Sequence, residues 1–170
     1  VINVAPIEAC LASLRGKGAS EPSSESAKKC IGLAANECLR ASDQLGSGMY
    51  DCISYGHRLG GETAYWLWRL DRVIAGLSVW AKGIGDADDP AAPTNALRVT
   101  RERWMEFRDA RCLFSASEKY GGREAAIDQW ACELTETASF SLSMEQELRG
   151  LCGVQSTPEF DAVCAKGKGG

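Results

Sequence analysis

One histidine, His57, is all that this chain of 170 residues offers, and the scarcity removes most nucleophilic chemistry. A Ser–His–Asp or Cys–His site would have to use it. It lies next to Gly56 and close to Gly60 and Gly61, a setting for a surface or capping residue. No G-x-x-x-x-G-K-[ST], G-x-G-x-x-G or H-E-x-x-H occurs, so the familiar phosphate cradles and the zincin helix are missing. No run of about 18 apolar residues is present, so no spanning helix is expected. No stretch alternates at period two with β-branched residues, which argues against a sheet. Charge is not strongly one-signed: the net value is −4 and the pI near 5.1. Nucleic acid would call for clustered Lys and Arg in excess and is not expected as a partner.

What the chain does have is cysteine. There are eight: Cys10, Cys30, Cys38, Cys52, Cys112, Cys132, Cys152 and Cys164. None forms a C-x-x-C, so a zinc site and thioredoxin-like chemistry both lack their spacing. No metal and no cofactor is expected. An even set of widely spaced cysteines reads instead as up to four disulfides in an oxidising compartment. The opening "VINVAPIEAC" has no basic start and no long apolar stretch, so it reads as a mature chain whose leader has been removed.

Periodicity predicts an all-α fold, a disulfide-stapled bundle of about three main helices with shorter ones around them. Residues 1–29 read as an irregular N-terminal segment with a short helix in "VAPIEACLASLR". A second short helix is expected from Ser26, with Ser26 as its N-cap. The first long helix has Leu67, Leu70, Ile74, Leu77 and Ala81 on one stripe, widened by Trp66, Val73 and Trp80. Arg69 and Arg72 fall outside that stripe. "LGG" at 59–61 should weaken or kink it, because glycine costs about 1 kcal/mol against alanine in a helix. "GIGDADDPAAPT" at 83–94 reads as a linker. The second long helix starts near Asn95, with Leu97, Thr100, Trp104, Phe107, Ala110 or Arg111, and Phe114 on its inner face. The third starts near Arg123, with Ile127, Trp130 or Ala131, Leu134, Ala138, Ser141 and Leu148 inward. A short segment with Phe160 and Cys164 follows, and "KGKGG" reads as a frayed tail.

Two carboxylates, Glu102 and Glu106, share a helix face and could form a glycosidase pair. Arg101, Arg103 and Arg108 stand close by, and a charge-balanced solvated face accounts for the pattern without chemistry. No catalytic residue is assigned. "DADD" at 86–89 lacks the spacing of an EF-hand loop. Tryptophan is enriched at binding hot spots. Trp66, Trp80, Trp104 and Trp130 lie on or beside inner stripes and read as core, whereas Trp68 is off the stripe and is the candidate for an interface.

The segment "LRVTRERWMEFRDARC", then "YGG", then "WACELTETASFSLSMEQEL" resembles the LprI-like lysozyme-inhibitor family, whose pattern is W-x-x-[FY]-R-D-x-x-C, a Gly-rich turn, a second Cys and a Thr shortly after. The matching positions are Leu97, Arg101, Trp104, Phe107, Arg108, Asp109, Cys112, Gly121, Gly122, Cys132 and Thr135. "CIGLAANEC" with "GMYDC" is similar to exported bacterial members, and "YWLWRLDRVIAGL" to a family helix in which Leu67 replaces an Asp and Asp71 an Asn. The spacing between Cys52 and that helix is longer than the family's. The resemblance covers residues 30–150 and implies a helical, disulfide-bonded, exported bacterial protein. It also implies a binding protein, not an enzyme, that would inhibit a lysozyme-type glycosidase by docking on it. It carries over no inhibitory residue.

An antiparallel helix pair turning near 118–122 would set Cys112 opposite Cys132, and a bridge there closes a loop of about 20 residues, worth about 3 kcal/mol in the entropy model. Cys38–Cys52 would close the loop between them, Cys152–Cys164 would pin the C-terminal segment 151–170, and Cys10–Cys30 remains by elimination. Eight cysteines nonetheless allow on the order of a hundred pairings. Arg108 and Asp109 point about 100° apart on a helix and need not pair with each other, but at least one should meet a partner on another helix. The loops around this frame supply candidate contact residues for a protein partner: His57, Arg58, Asp88, Tyr120 and Arg123, with Trp68. A cationic lysozyme is the first such partner. The alternative is a structural or envelope-stress module with a different one. Oligomeric state is left open.

Overall fold

A computed structural model describes residues 2–15, 24–36, 51–85, 88–117, 122–152, 154 and 157–168. Among them the fold is all-α with no strand. Helix α1 spans Ala5–Arg15 and α2 spans Ser24–Ala27, followed by a 3₁₀ turn at Lys28–Cys30. The long helices are α3 (Asp51–Gly83), α4 (Ala92–Ser117) and α5 (Arg123–Leu151), and α6 (Pro158–Lys168) closes the chain. Helix α5 lies between α3 and α4 in the packing, with its broadest contact on α3.

The stripe on α3 is the reason for that order. Leu59, Trp66, Leu70, Val73, Leu77 and Ala81 are all buried, at the i, i+3, i+4, i+7 spacing of an apolar helix face; Leu67 and Ile74, expected on the stripe, flank it and are only partly buried. Leu59 and Trp66 share a core cluster with Leu134, Ala138 and Leu142 of α5. Helix α3 runs unbroken through Gly60 and Gly61. A Cβ on Gly61 would come within 3.3 Å of Ile2, so the small residue there lets the N-terminal strand of chain approach.

The N-terminal segment is more ordered than its sequence suggests. Ile7 and Leu11 of α1 are buried in the same cluster as Trp66 and Leu134. The Ala5 N–H donates to Asn3 Oδ1 at 3.1 Å, satisfying one of the orphan donors of a helix start. Ser26 lies inside α2 and does not cap a helix that runs on from it. The chain breaks at Ile31 and Gly32 because Gly32 takes φ 84°, a left-handed backbone that favours glycine. Residues 33–36 then return to helix.

Helix α4 begins at Ala92, three residues before the expected Asn95, because Pro93 is accommodated in a first turn where its missing N–H is not needed. Helix α5 starts after Gly122, whose φ is 90°. Thr157 Oγ1 accepts the Phe160 N–H at 3.2 Å, and Pro158 follows it, so α6 starts with an N-cap and an N1 proline. Lys166, Gly167 and Lys168, expected in a frayed tail, belong to α6; the last two residues are outside the description.

Among the described residues three disulfides form: Cys10–Cys30, Cys112–Cys132 and Cys152–Cys164. They tie α1 to the 3₁₀ turn, α4 to α5, and α6 to the end of α5. Cys38–Cys52 lies outside the described residues. Among the described residues no helix is long and apolar enough to cross a membrane.

Candidate binding surface

The motif on α4 turns out to face differently from its expected phase. Phe107 is 57% exposed and Phe114 69%, so neither belongs to the core, and Thr100, Ala110 and Arg111 are exposed with them. The buried positions are Arg108, Cys112 and Ala116, each four residues from the last. Trp104 lies between the two faces and stacks on Phe140 of α5, ring centroids 4.3 Å apart. The large aromatics do not define the inner face. The Cys112–Cys132 bridge defines it instead, and it rotates the aromatics outward.

Arg108 makes the inter-helix clasp. Its Nη1 donates to Thr137 Oγ1 on α5 at 3.1 Å, and Thr137 in turn donates to the Glu133 carbonyl at 2.6 Å. Arg108 also pairs with its neighbour: Nε and Nη2 reach Asp109 Oδ1 at 2.8 and 2.6 Å. The two residues do pair, the long arginine side chain bending back to its neighbour, while the partner expected on another helix is Thr137. Thr135, the motif threonine, is exposed and only bonds back to the Ala131 carbonyl at 2.8 Å. Thr137 is the one that serves the clasp.

Glu102 and Glu106 are exposed and arginine-paired, Glu102 with Arg98 at 2.7 Å and Glu106 with Arg103 at 2.8 Å. They do not face one cleft, and the carboxylate-pair reading falls.

The densest polar cluster lies elsewhere, between α1, α3 and α5. Arg69 donates from Nε and Nη2 to Glu145 Oε1 and Oε2 at 2.8 and 2.9 Å, the two-point geometry that makes arginine–carboxylate pairs strong. Its Nη1 reaches Tyr65 Oη at 3.0 Å, and the Tyr65 hydroxyl donates to Glu8 of α1. Burial opposes the Arg69 cation, but hydrogen bonding to Glu145 and its charge, with Tyr65, outweigh that and hold it protonated above its ordinary range. Burial and the hydrogen bond to Glu8 push the Tyr65 hydroxyl up to about 12. Arg69 was expected outside the α3 stripe; it borders it and is nearly buried. Glu145 holds the buried phase of α5, four residues after Ser141, and that phase was the available signal.

A second buried acid went unread. Glu62 is fully buried and accepts from the N–H groups of Gly32 and Ala35 at 2.6 and 2.9 Å and from Trp66 Nε1 at 3.3 Å. It therefore caps the helical turn at 33–36. Its place in the phase of Leu59 and Trp66 marks it as inward-facing.

On the outer side of this frame stands Trp68, 51% exposed. The Arg72 guanidinium sits 4.8 Å from its ring centroid, and Tyr65 stacks against it at 6.0 Å. Trp68 is thus the indole that the sequence singles out, and of the two groups against it Tyr65 is tied down by Glu8 and Arg69. Trp130 is also half exposed, contrary to expectation, with its ring where a Cβ of Gly56 would stand. Arg58 and Asp88 are exposed, one near the start of α3 and the other beyond its end, on the order of 35 Å apart. They do not join Trp68 in one site. Tyr120 and the side chains of His57 and Arg123 lie outside the described residues. Comparison with protein-family models, with curated proteins and with solved structures finds no match.

Proposed function

We propose that this chain is an exported protein-binding module whose contact surface centres on Trp68 and Arg72, and that a lysozyme-type glycosidase is the first target to test. The observation that carries the binding reading is the exposed Trp68, in contact with Arg72 and with a Tyr65 that a hydrogen bond anchors to α1. An indole fixed in this way gives a large contact area at little entropic cost, and Trp with Arg is the pairing enriched at hot spots. Three disulfides suit a periplasmic or secreted location. The choice of target rests on the LprI-like motif residues Trp104, Arg108, Cys112 and Cys132 and on the net charge of −4, which favours encounter with a cationic enzyme.

A lysis assay with purified protein tests it. Wild-type protein should inhibit, and Trp68→Ala should keep the fold and lose inhibition. Absence of inhibition of c-, g- and i-type lysozymes at micromolar excess would remove the glycosidase target. One observation favours the alternative, an envelope module with a different partner: Trp68 has the Arg72 cation against its ring, a group that suits an acidic partner better than a lysozyme. A pull-down from envelope extract that loses one non-glycosidase partner with Trp68→Ala would support that reading.

A further inference from the structure

The outer face of α4 carries large apolar side chains that are not part of the core, among the polar Thr100, Arg103, Glu106 and Ser117. Of the eight large hydrophobic residues exposed among the described residues, four are on this helix: Val99, Phe107, Leu113 and Phe114. At 100° per residue, Phe107, Ala110 and Phe114 fall within about 60° of one another, and Arg108, Cys112 and Ala116 point the opposite way. Contiguous exposed apolar surface of this kind marks an interaction site.

The spacing of this face is that of a helix seam. Thr100, Phe107 and Phe114 recur every seven residues, and Arg103, Ala110 and Ser117 fall three residues after each. These are the a and d positions of a heptad, apolar at Phe107, Ala110 and Phe114 and polar at Thr100, Arg103 and Ser117, so the apolar seam is confined to 107–114. Glu106 then occupies a g position and Arg111 the next e position, one on each flank of the seam. In a parallel pair of such helices each g residue faces the e residue five positions on in the partner. Glu106 of each copy would meet Arg111 of the other, twice about the axis. In an antiparallel pair like flanks meet, Glu106 side against Glu106 side, and the charges oppose. Both groups already have partners within the chain, Glu106 with Arg103 and Arg111 with Glu136 at 2.9 Å. Both remain more than half exposed, and a guanidinium with five donors can serve two carboxylates.

We infer that α4 is a homodimerisation helix, packing in parallel on α4 of a second copy along Phe107, Ala110 and Phe114. The Glu106–Arg111 complementarity is what favours a second copy in the parallel orientation. The surface is separate from Trp68 on α3, and the inference does not depend on the target proposed above.

Sedimentation velocity across a micromolar concentration series tests it. The wild type should show a monomer–dimer equilibrium. Phe114→Glu should weaken it roughly tenfold or more while leaving unfolding of the dilute protein unchanged, since that side chain is exposed. Glu106→Arg and Arg111→Glu should each weaken the dimer, and the double exchange should restore it. Glu136→Gln, which removes the intrachain partner of Arg111, should leave the dimer in place. Ala110→Cys should cross-link two chains on mild oxidation. A protein that is monomeric throughout, or a dimer indifferent to Phe114→Glu, would overturn the inference. A double exchange no better than either single one would overturn the parallel register.

Discussion

Arg69 on α3 and Glu145 on α5 meet through two parallel hydrogen bonds of 2.8 and 2.9 Å, with side chains only 12% and 10% exposed. The pair joins the two helices that share the largest contact. Its neighbours extend it, Tyr65 and Glu8 on one side and Arg149 at 3.4 Å on the other.

Removing one member of that pair should be costly. Glu145→Ala leaves a nearly buried guanidinium without its carboxylate, a loss of about 3–5 kcal/mol. The double replacement Arg69→Met with Glu145→Leu should recover most of the loss, because it removes both desolvation costs. Urea unfolding of the three variants checks both expectations.

Tyr65 should titrate late. Its folded value lies near 12, above the ordinary value of 10.0, so the folded state holds that proton more tightly than the unfolded chain does. The resulting stability is complete below about pH 10 and falls as pH rises from there through about 12. Tyrosinate absorbance should show one tyrosine of the four ionising last, and Tyr65→Phe should remove that step and flatten the stability loss in the same window.

The two neighbouring threonines should behave differently. Thr137→Val leaves a buried Arg108 donor unpaired and should cost about 1–3 kcal/mol. Thr135→Val, at an exposed site, should stay within about 0.5 kcal/mol of wild type. Thermal or urea unfolding distinguishes them.

Ser141 is fully buried, and its hydroxyl has no hydrogen-bond partner. Ser141→Ala removes the unpaired group and should stabilise the protein by about 1 kcal/mol, readable as a shift in the urea midpoint without a change in m-value.

The Cys112–Cys132 bridge should be worth about 3 kcal/mol, the loop-closure value for about 20 residues. Replacing both cysteines with serine and measuring unfolding under non-reducing conditions tests this. Peptide mapping of the wild type should recover Cys10–Cys30, Cys112–Cys132 and Cys152–Cys164.

Helix class, the α3 stripe and the pairing of Cys112 with Cys132 were legible in the sequence, because each follows from local spacing. The 3.6-residue period selects a helix and its buried side wherever the apolar residues agree with one another, as they do from Leu70 to Ala81. Trp68 was legible for the same reason, by lying out of phase. On α4 the residues do not agree: Phe107 and Phe114 compete with Arg108 and Cys112 for the inward direction, and spacing alone cannot rank them. Tertiary structure decided that contest, since a disulfide to α5 fixes which way Cys112 points and the Thr137 clasp makes burial of Arg108 tolerable. It likewise decided the roles of Arg69, Glu145 and Glu62. A charged residue enters a core only if another element delivers its partner, and that partner lies from 27 to 76 residues away in the chain.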